Sequence, residues 1–145
     1  MKVGIFEYIA GGGIKEVISG NMLCEGYSML KSAIEDFQSA GYEVTTLLDS
    51  RLTKLKEHTK AEKIEIVSAQ DNISNVLHEM LKTVDLSLII APETGGTLSN
   101  LVQIARSNTI SLNSTPESID LVSNKAKLAE ILSRKGFPIP KTYCI

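Results

Sequence analysis

The residue best placed to do chemistry in this sequence is a lysine at the start of a predicted helix. Ser123 or Asn124 can cap that helix, which puts Lys125 in its first turn. A cation is unfavourable there, because the helix dipole prefers anions at its N-terminal end. The same exposed N–H groups favour a bound phosphate, for which Lys125 would be the counter-charge. A solvated lysine on a plain amphipathic helix is the alternative interpretation.

The boundaries of this helix, and of a shorter helix before it, are marked by residue type. Thr115 can cap the first helix, which Pro116 begins, since proline at the first helical position loses no hydrogen bond. The second helix is predicted to end at Gly136, and Pro138 and Pro140 predict an extended exit. Apolar spacing predicts that the second helix buries a stripe made of Leu128, Ile131 and Leu132.

The preceding part of the chain alternates short apolar runs with helical patterns. The runs predict strands at residues 2–8, 42–48, 64–68, 86–91 and 109–112. Apolar spacing predicts helices within residues 24–40, 73–84 and 98–105, the last capped by Thr94 or Thr97. This order, with buried runs and short turns, predicts an α/β fold with an open, mostly parallel sheet.

A glycine-rich loop follows the first predicted strand. Gly11, Gly12 and Gly13 do not continue as the dinucleotide-binding pattern G-x-G-x-x-G, because Glu16 occupies the third glycine position. An NAD-dependent dehydrogenase is therefore disfavoured, and Asp49 at the end of the second strand is not assigned to a ribose. What remains is a loop at the carboxyl end of a strand, where open α/β sheets bind ligands. A simple permissive turn is the alternative.

Size and composition exclude several classes of function. The chain has 145 residues, 43% of them hydrophobic, and a net charge of -2 without a basic patch, so no nucleic acid is expected. No apolar run approaches the roughly 18 residues of a membrane span. Cys24 and Cys144 form no Cys-x-x-Cys pair, so we expect free buried thiols rather than a zinc site. The chain shows no secretory signal, and a cytoplasmic location is expected.

Residues 113–140 resemble the entry into the ATP-binding domain of ATP-grasp ligases. Those proteins show an Asn-Ser/Thr-x-Glu-x-Ile segment, then a helix led by lysine, then a Gly-x-Pro-x-Pro exit. In the family the lysine contacts nucleotide phosphates, which implies that Lys125 binds ATP. Asn124 stands where the family usually has an acidic residue. The matching residues are Asn113, Ser114, Glu117, Ile119, Lys125, Gly136, Pro138 and Pro140.

The rest of the chain resembles the pre-ATP-grasp domain, a Rossmann-like module with helices on both faces of an open, mostly parallel sheet. Three of its segments look like those of the archaeal tyramine–L-glutamate ligase family, which acts in methanofuran biosynthesis. The resemblance implies a substrate-side domain at residues 1–113, and linking helices with the start of a truncated ATP-grasp domain at residues 114–145. The segments that carry it are Phe6-Glu7-Tyr8 with Gly11, Gly12 and Gly13, Glu25-Gly26 with Met29-Leu30, and Ala91-Pro92-Glu93-Thr94.

The chemistry that this resemblance implies is carboxylate activation. The substrate carboxylate attacks the γ-phosphate of ATP, and an amine then displaces phosphate from the acyl phosphate to form an amide. The metal ligands of the family, for Mg²⁺ or Mn²⁺, are expected outside this chain. The chain is therefore expected to be the N-terminal part of a longer enzyme, or a truncated gene product, and inactive alone. Its expected partners are an amino acid, an amine and the missing C-terminal ATP-grasp domain, and a homodimer is allowed.

The remaining candidates are substrate-side, and no catalytic residue is identified. Glu7, Glu25 and Glu93 follow strands or begin helices near the expected ligand edge, where a carboxylate could hold a substrate ammonium group. Each could instead be a helix cap or a solvated acid. Backbone N–H groups of the loops could approach an anionic group, and the glycines concerned are Gly11, Gly12, Gly13, Gly95 and Gly96. A non-catalytic α/β module that binds a small ligand or a partner is the alternative function.

Overall fold

The structure is a computed structural model that describes residues 1–141. Within these residues five strands form one sheet: β1 (Lys2–Glu7), β2 (Glu43–Asp49), β3 (Lys63–Val67), β4 (Leu86–Ile90) and β5 (Ile110–Ser111). Their spatial order is β3-β2-β1-β4-β5, and each of the four pairings is parallel. Because each predicted strand is found within one or two residues of its expected bounds, the prediction of an open, mostly parallel sheet is confirmed.

In the described part of the chain, five α-helices connect and follow the strands: α1 (Gly20–Ser39), α2 (Ile73–Leu81), α3 (Thr97–Asn108), α4 (Pro116–Ser123) and α5 (Lys125–Arg134). Helix α1 begins four residues before its predicted start, because the side chain of Ser19 accepts a hydrogen bond from the N–H of Met22. Neither Thr94 nor Thr97 caps α3. That position is taken by Gly96, whose φ of 73° lies in the left-handed region.

The helices cover both faces of the sheet. Strand β1 shows the division, because Val3 and Ile5 enter one core while Phe6 enters the other. Helix α1 and a 3-10 helix, Ser50–His58, cover the first face, and α2, α3 and α4 cover the second. The first core is built around Val3, Ile5, Leu30, Ile34, Val44 and Leu48, and the second around Phe6, Leu47, Leu77, Met80, Val102 and Ile119. The predicted fold class, with helices on both faces, is confirmed.

The strand order reverses beside β1, the central strand. From β1 the chain moves to β2 and β3 on one side, and then crosses to β4 and β5 on the other. The N–H of Tyr8 donates to the carbonyl oxygen of Ile90 at 2.8 Å, so the two strands stay paired up to their carboxyl ends. In open α/β sheets ligands bind in the crevice outside the carboxyl ends of the strands at such a switch point. A ligand site is therefore expected at the loops after β1 and β4.

The side chain of Asn113 acts as an additional strand residue beyond β5. Its Nδ2 donates to the carbonyl oxygen of Ile89 at 2.8 Å, and its Oδ1 accepts the N–H of Ile89 at 2.9 Å. Two residues later, Thr115 Oγ1 accepts the N–H of Ser118 and caps α4, as predicted. Asn113 therefore fixes where the chain leaves the sheet to enter the last two helices.

Two expectations about burial are wrong. The stripe of Leu128, Ile131 and Leu132 is half-buried rather than buried, because α5 packs chiefly against α4 and lies beside the sheet rather than on it. Cys24 is exposed on α1, and Cys144 lies outside the described residues. Across residues 1–141, the helices are all too short or too polar to cross a bilayer.

We expect the substitution Asn113→Ala to lower the free energy of unfolding by roughly 1–3 kcal/mol, because it leaves both backbone groups of Ile89 without a partner. Asn100→Ala is the matched control, because Asn100 is exposed on α3 and should change stability by no more than about 0.5 kcal/mol. Urea denaturation measures both. Equal stability of the two variants would contradict the role of Asn113 as a sheet residue.

Candidate functional site

Glu7, at the carboxyl end of β1, is buried rather than solvated. Its side chain is 1% exposed. Its Oε2 accepts the backbone N–H groups of Ile9 at 3.1 Å and Ala10 at 2.7 Å, so the carboxylate holds the loop that follows the strand. The structure thus places Glu7 at the switch point, where it organises the loop around the crevice.

The glycines of this loop allow its tight turn, rather than offering free N–H groups as hydrogen-bond donors. The N–H of Gly11 donates to the carbonyl oxygen of Glu7, and the N–H of Gly13 donates to that of Tyr8, both at 2.8 Å. A Cβ on Gly13 would lie 2.4 Å from the ring of Tyr8, so the turn closes too tightly for a side chain there. The N–H of Gly12 points to the carbonyl oxygen of Ile9 at 3.5 Å. Substrate binding by these three glycines stays a prediction, and it would not use these N–H groups without opening the turn.

Glu25 brings a second carboxylate to the end of β1. It is exposed on α1, whereas Glu7 is covered. Burial raises the pKa of Glu7 above its ordinary value, the N–H groups of Ala10 and Ile9 oppose that rise, and the charge of Glu25 adds to it. The charges of Glu7 and Glu25 therefore interact, and Glu25 is the one that is accessible to a ligand in solvent.

Glu93 lies elsewhere, in the loop after β4, where it faces Lys125. The distance from Lys125 Nζ to Glu93 Oε2 is 3.7 Å. Lys125 is the first residue of α5 and follows Asn124, whose Oδ1 accepts the N–H of Lys127 as a cap. Its side chain is 72% exposed, and its Nζ also donates to the carbonyl oxygen of Val122 at 3.2 Å. Glu93, predicted to bind substrate, and Lys125, predicted to bind ATP, thus lie next to each other.

An open cleft of about 740 Å³ separates the loop after β4 from the start of α5. The N-termini of α3 and α5 both border it, and α3 has no side-chain cap. Its charged groups are Glu93, Asp120 and Lys125. The lining is completed by Thr94, Gly95, Gly96, Ser123 and Asn124. The cleft combines one ammonium group with polar backbone at two helix starts, an arrangement that can receive a phosphorylated ligand.

Asp120 also lines this cleft, which was not predicted from the sequence. Asp120 lies on α4, one turn before the cap of α5. That spacing was the one feature of the sequence that could have indicated its place in the cleft. Within residues 1–141 no cluster of three or more histidine, cysteine, aspartate or glutamate side chains could hold a metal ion. Glu93 and Asp120 do not by themselves make a metal site.

A second buried acid, Asp49 at the end of β2, is paired with Arg51. The Nε and Nη2 atoms of Arg51 donate to the two carboxylate oxygens at 2.9 and 2.6 Å. Burial alone would raise the pKa of Asp49, but the hydrogen bonds and charge of Arg51 outweigh it and the pKa is lowered. The guanidinium also donates to the carbonyl oxygens of Ile14 and Glu16. Asp49 is therefore engaged in holding the loop before α1 and is not free for a ribose.

Lys15 ties the same loop to the end of β3. Its Nζ donates to the carbonyl oxygens of Ala69 at 2.8 Å and Asp71 at 2.6 Å. Together with Arg51, it fixes the chain between the glycine loop and α1. The sequence shows an arginine two residues after Asp49, at the end of the second strand. The carbonyl oxygens that this arginine binds belong to residues about 35 positions earlier in the chain, so the sequence did not reveal them.

Comparisons with known proteins point to one group. The profile of the pre ATP-grasp 3 domain matches residues 42–119. The crystal structure of a candidate ATP-grasp superfamily protein from Archaeoglobus fulgidus is similar over 97% of this chain, with 27% sequence identity and a TM-score of 0.78. The chain spans 42% of that protein's length. A comparison with curated proteins gives no match.

We expect Glu7 to weaken the fold as it ionises. A carboxyl whose pKa is raised by folding gives its full stability below its unfolded pKa and loses it as the pH rises through the folded value. The free energy of unfolding of the wild type, relative to Glu7→Gln, should therefore fall as the pH rises above about 4.5. Urea denaturation over a pH series measures this.

Glu62→Gln supplies a control of opposite sign. The N–H of Val44 holds the pKa of Glu62 below its ordinary value, so this carboxylate contributes stability that is lost as the pH falls. If the difference in the free energy of unfolding between the wild type and Glu7→Gln stays constant across the pH series, it would contradict a buried, ionising Glu7.

Proposed function

Because this chain belongs to the pre ATP-grasp 3 domain family, we propose that it forms the N-terminal, substrate-side part of an ATP-dependent carboxylate–amine ligase. The observation that carries the proposal is the cleft in which Lys125, at the start of α5, faces the loop after β4. Residues 1–113 would form the substrate-side domain, and residues 114–145 the link into the ATP-binding domain. The chain spans 42% of the longer protein from Archaeoglobus fulgidus, which supports a further domain in the full-length protein.

Lys125 would neutralise phosphate charge in this cleft. Its ammonium group is exposed, and within residues 1–141 it contacts Glu93 and one backbone carbonyl oxygen; exposed ion pairs contribute little to stability. Phosphate oxygens could therefore replace Glu93 at small cost. The free N–H groups at the start of α5 would add to the attraction. Phosphoryl transfer depends mainly on positioning and charge neutralisation, which is what these groups can supply.

The proposed reaction has two balanced steps. A carboxylate oxygen of one substrate forms a bond to the γ-phosphorus of ATP, and the bond to the β–γ bridging oxygen breaks to release ADP. The amine nitrogen of the second substrate then attacks the carbonyl carbon of the acyl phosphate. Inorganic phosphate leaves, the nitrogen loses a proton, and an amide remains. Mg²⁺ or Mn²⁺, when bound by the rest of the enzyme, would supply further charge neutralisation.

The substrate ammonium group would bind at the β1 side of the crevice. Glu7 and Glu25 give this side its negative charge, and Glu25 is accessible from solvent. The phosphates would bind on the β4 side with Lys125. L-glutamate and tyramine are the proposed substrates, in methanofuran biosynthesis, and the segments around Phe6, Glu25 and Ala91 support this choice. The 145-residue chain alone is proposed to be inactive.

Lys125→Ala in the full-length protein should raise KM for ATP about tenfold or more, because it removes a charge-assisted contact to phosphate. Lys127→Ala is the matched control: it lies on the same helix, is exposed and does not line the cleft. Its KM for ATP should stay within about twofold of the wild-type value. Steady-state kinetics and thermal denaturation together separate loss of binding from loss of folding. Unchanged ATP kinetics in Lys125→Ala would contradict the assignment of this residue.

Glu25→Gln in the full-length protein should raise KM for the substrate whose ammonium group it holds, and leave KM for ATP unchanged. Glu35→Gln is the control, because Glu35 is a glutamate of the same helix that pairs with Lys31 and Lys60. Steady-state kinetics in which each substrate, tyramine and L-glutamate included, is varied in turn measure the effect. Parallel changes in the two variants would show that surface charge, and not a specific contact, is responsible.

A further inference from the structure

Helix α1 packs closely against the end of β1 at Gly26. This residue is buried although its neighbour Glu25 is exposed. A Cβ on Gly26 would lie 2.5 Å from Glu7 Oε2, 3.0 Å from the carboxyl carbon of Glu7 and 3.0 Å from the Cβ of Ile9. The φ of Gly26 is not positive, so the glycine is required by space and not by backbone conformation. Glycine inside a helix is unfavourable compared with alanine, and a close approach is one reason to keep it.

The carboxylate beneath Gly26 connects several parts of the loop after β1. Its Oε2 accepts the N–H groups of Ile9 and Ala10, and the backbone oxygen of Glu7 accepts the N–H of Gly11. The carbonyl oxygen of Ala10 in turn accepts the N–H of Asp49 at 2.8 Å, which joins the loop to the end of β2. The position of Glu7 therefore sets the position of the loop, and the helix surface at Gly26 sets the position of Glu7.

We propose that Gly26 is a positioning residue: by letting α1 close onto the carboxylate of Glu7, it fixes the loop after β1 and the carboxylate of Glu25 at the place where the substrate ammonium group binds. This inference rests on the proposed function. Since Glu25 directly precedes Gly26, the same approach of the helix sets how far Glu25 stands from the crevice. A methyl group at residue 26 would push the helix outward or displace the Glu7 carboxylate, and in either case the distance between Glu25 and the loop would change.

The test compares Gly26→Ala with Gly20→Ala in the full-length protein. Gly20 lies in the same helix, and a Cβ there meets no atom within 4 Å. We expect Gly26→Ala to raise KM for the amine-bearing substrate about fivefold or more while KM for ATP stays within about twofold. Gly20→Ala should change neither. Equal changes in both KM values, or no change in a folded Gly26→Ala protein, would overturn the proposal.

A second comparison tests whether Gly26 acts through Glu7. Glu7→Asp withdraws the carboxylate by one methylene and makes room for a methyl group on α1. The effect of Gly26→Ala on KM should therefore be at least about threefold smaller in the Glu7→Asp background. If Gly26→Ala alone does not fold, the double variant decides the question: recovery of a folded protein in Glu7→Asp/Gly26→Ala is expected, and a double variant that also fails to fold would overturn the proposal. An effect of equal size in both backgrounds would overturn the proposal.

Amide hydrogen exchange separates this inference from the proposed function. If the contact sets the loop, the N–H groups of Ile9 and Ala10 should exchange about tenfold faster or more in Gly26→Ala than in Gly20→Ala. Unchanged exchange would overturn the positioning role even in an active ligase. If the wild-type protein joins no amine to a carboxylate, the proposed function is wrong and the positioning role falls with it, whatever the exchange rates show.

Discussion

The contact between the buried carboxylate of Glu7 and the surface of α1 is the interaction on which the rest of this structure depends. A buried carboxylate is costly unless its oxygens are hydrogen-bonded, and here the N–H groups of Ile9 and Ala10 provide those bonds. The helix can cover the group only because Gly26 has no side chain. Since β1 is the central strand, paired to β2 and to β4, this contact joins α1 and the loop after β1 to the middle of the sheet.

The reversal of strand order at β1 divides the crevice into two chemically different sides. On the β1 side lie two carboxylates, of which Glu25 is open to solvent. On the β4 side Lys125 faces Glu93 across 3.7 Å, in a cleft bordered by two helix starts. This separation suits a reaction in which an ammonium group and a phosphate must be held near each other without neutralising each other. In the proposed function, phosphate would replace Glu93 as the partner of Lys125.

Most of the fold could be predicted from the sequence, because it follows from local patterns. Apolar runs gave the strands, and the caps at Thr115 and Asn124 gave the starts of the last two helices. Contacts between residues distant along the chain could not be predicted, since no local pattern encodes them. They decide the chemistry of the site: Glu7 is a buried loop anchor rather than a solvated acid, and Glu93 meets a lysine. The distant pairs are Glu7 with Gly26, Asn113 with Ile89, Asp49 and Arg51 with the 14–16 loop, and Glu93 with Lys125.

The central claim is that nucleotide phosphates bind between the loop after β4 and the start of α5. A crystal structure of the full-length protein with a non-hydrolysable ATP analogue and a divalent cation tests it most directly. We expect phosphate oxygens within hydrogen-bond distance of Lys125 Nζ, with Glu93 no longer in contact with that lysine. Phosphates bound away from this cleft, with Lys125 still facing Glu93, would contradict it.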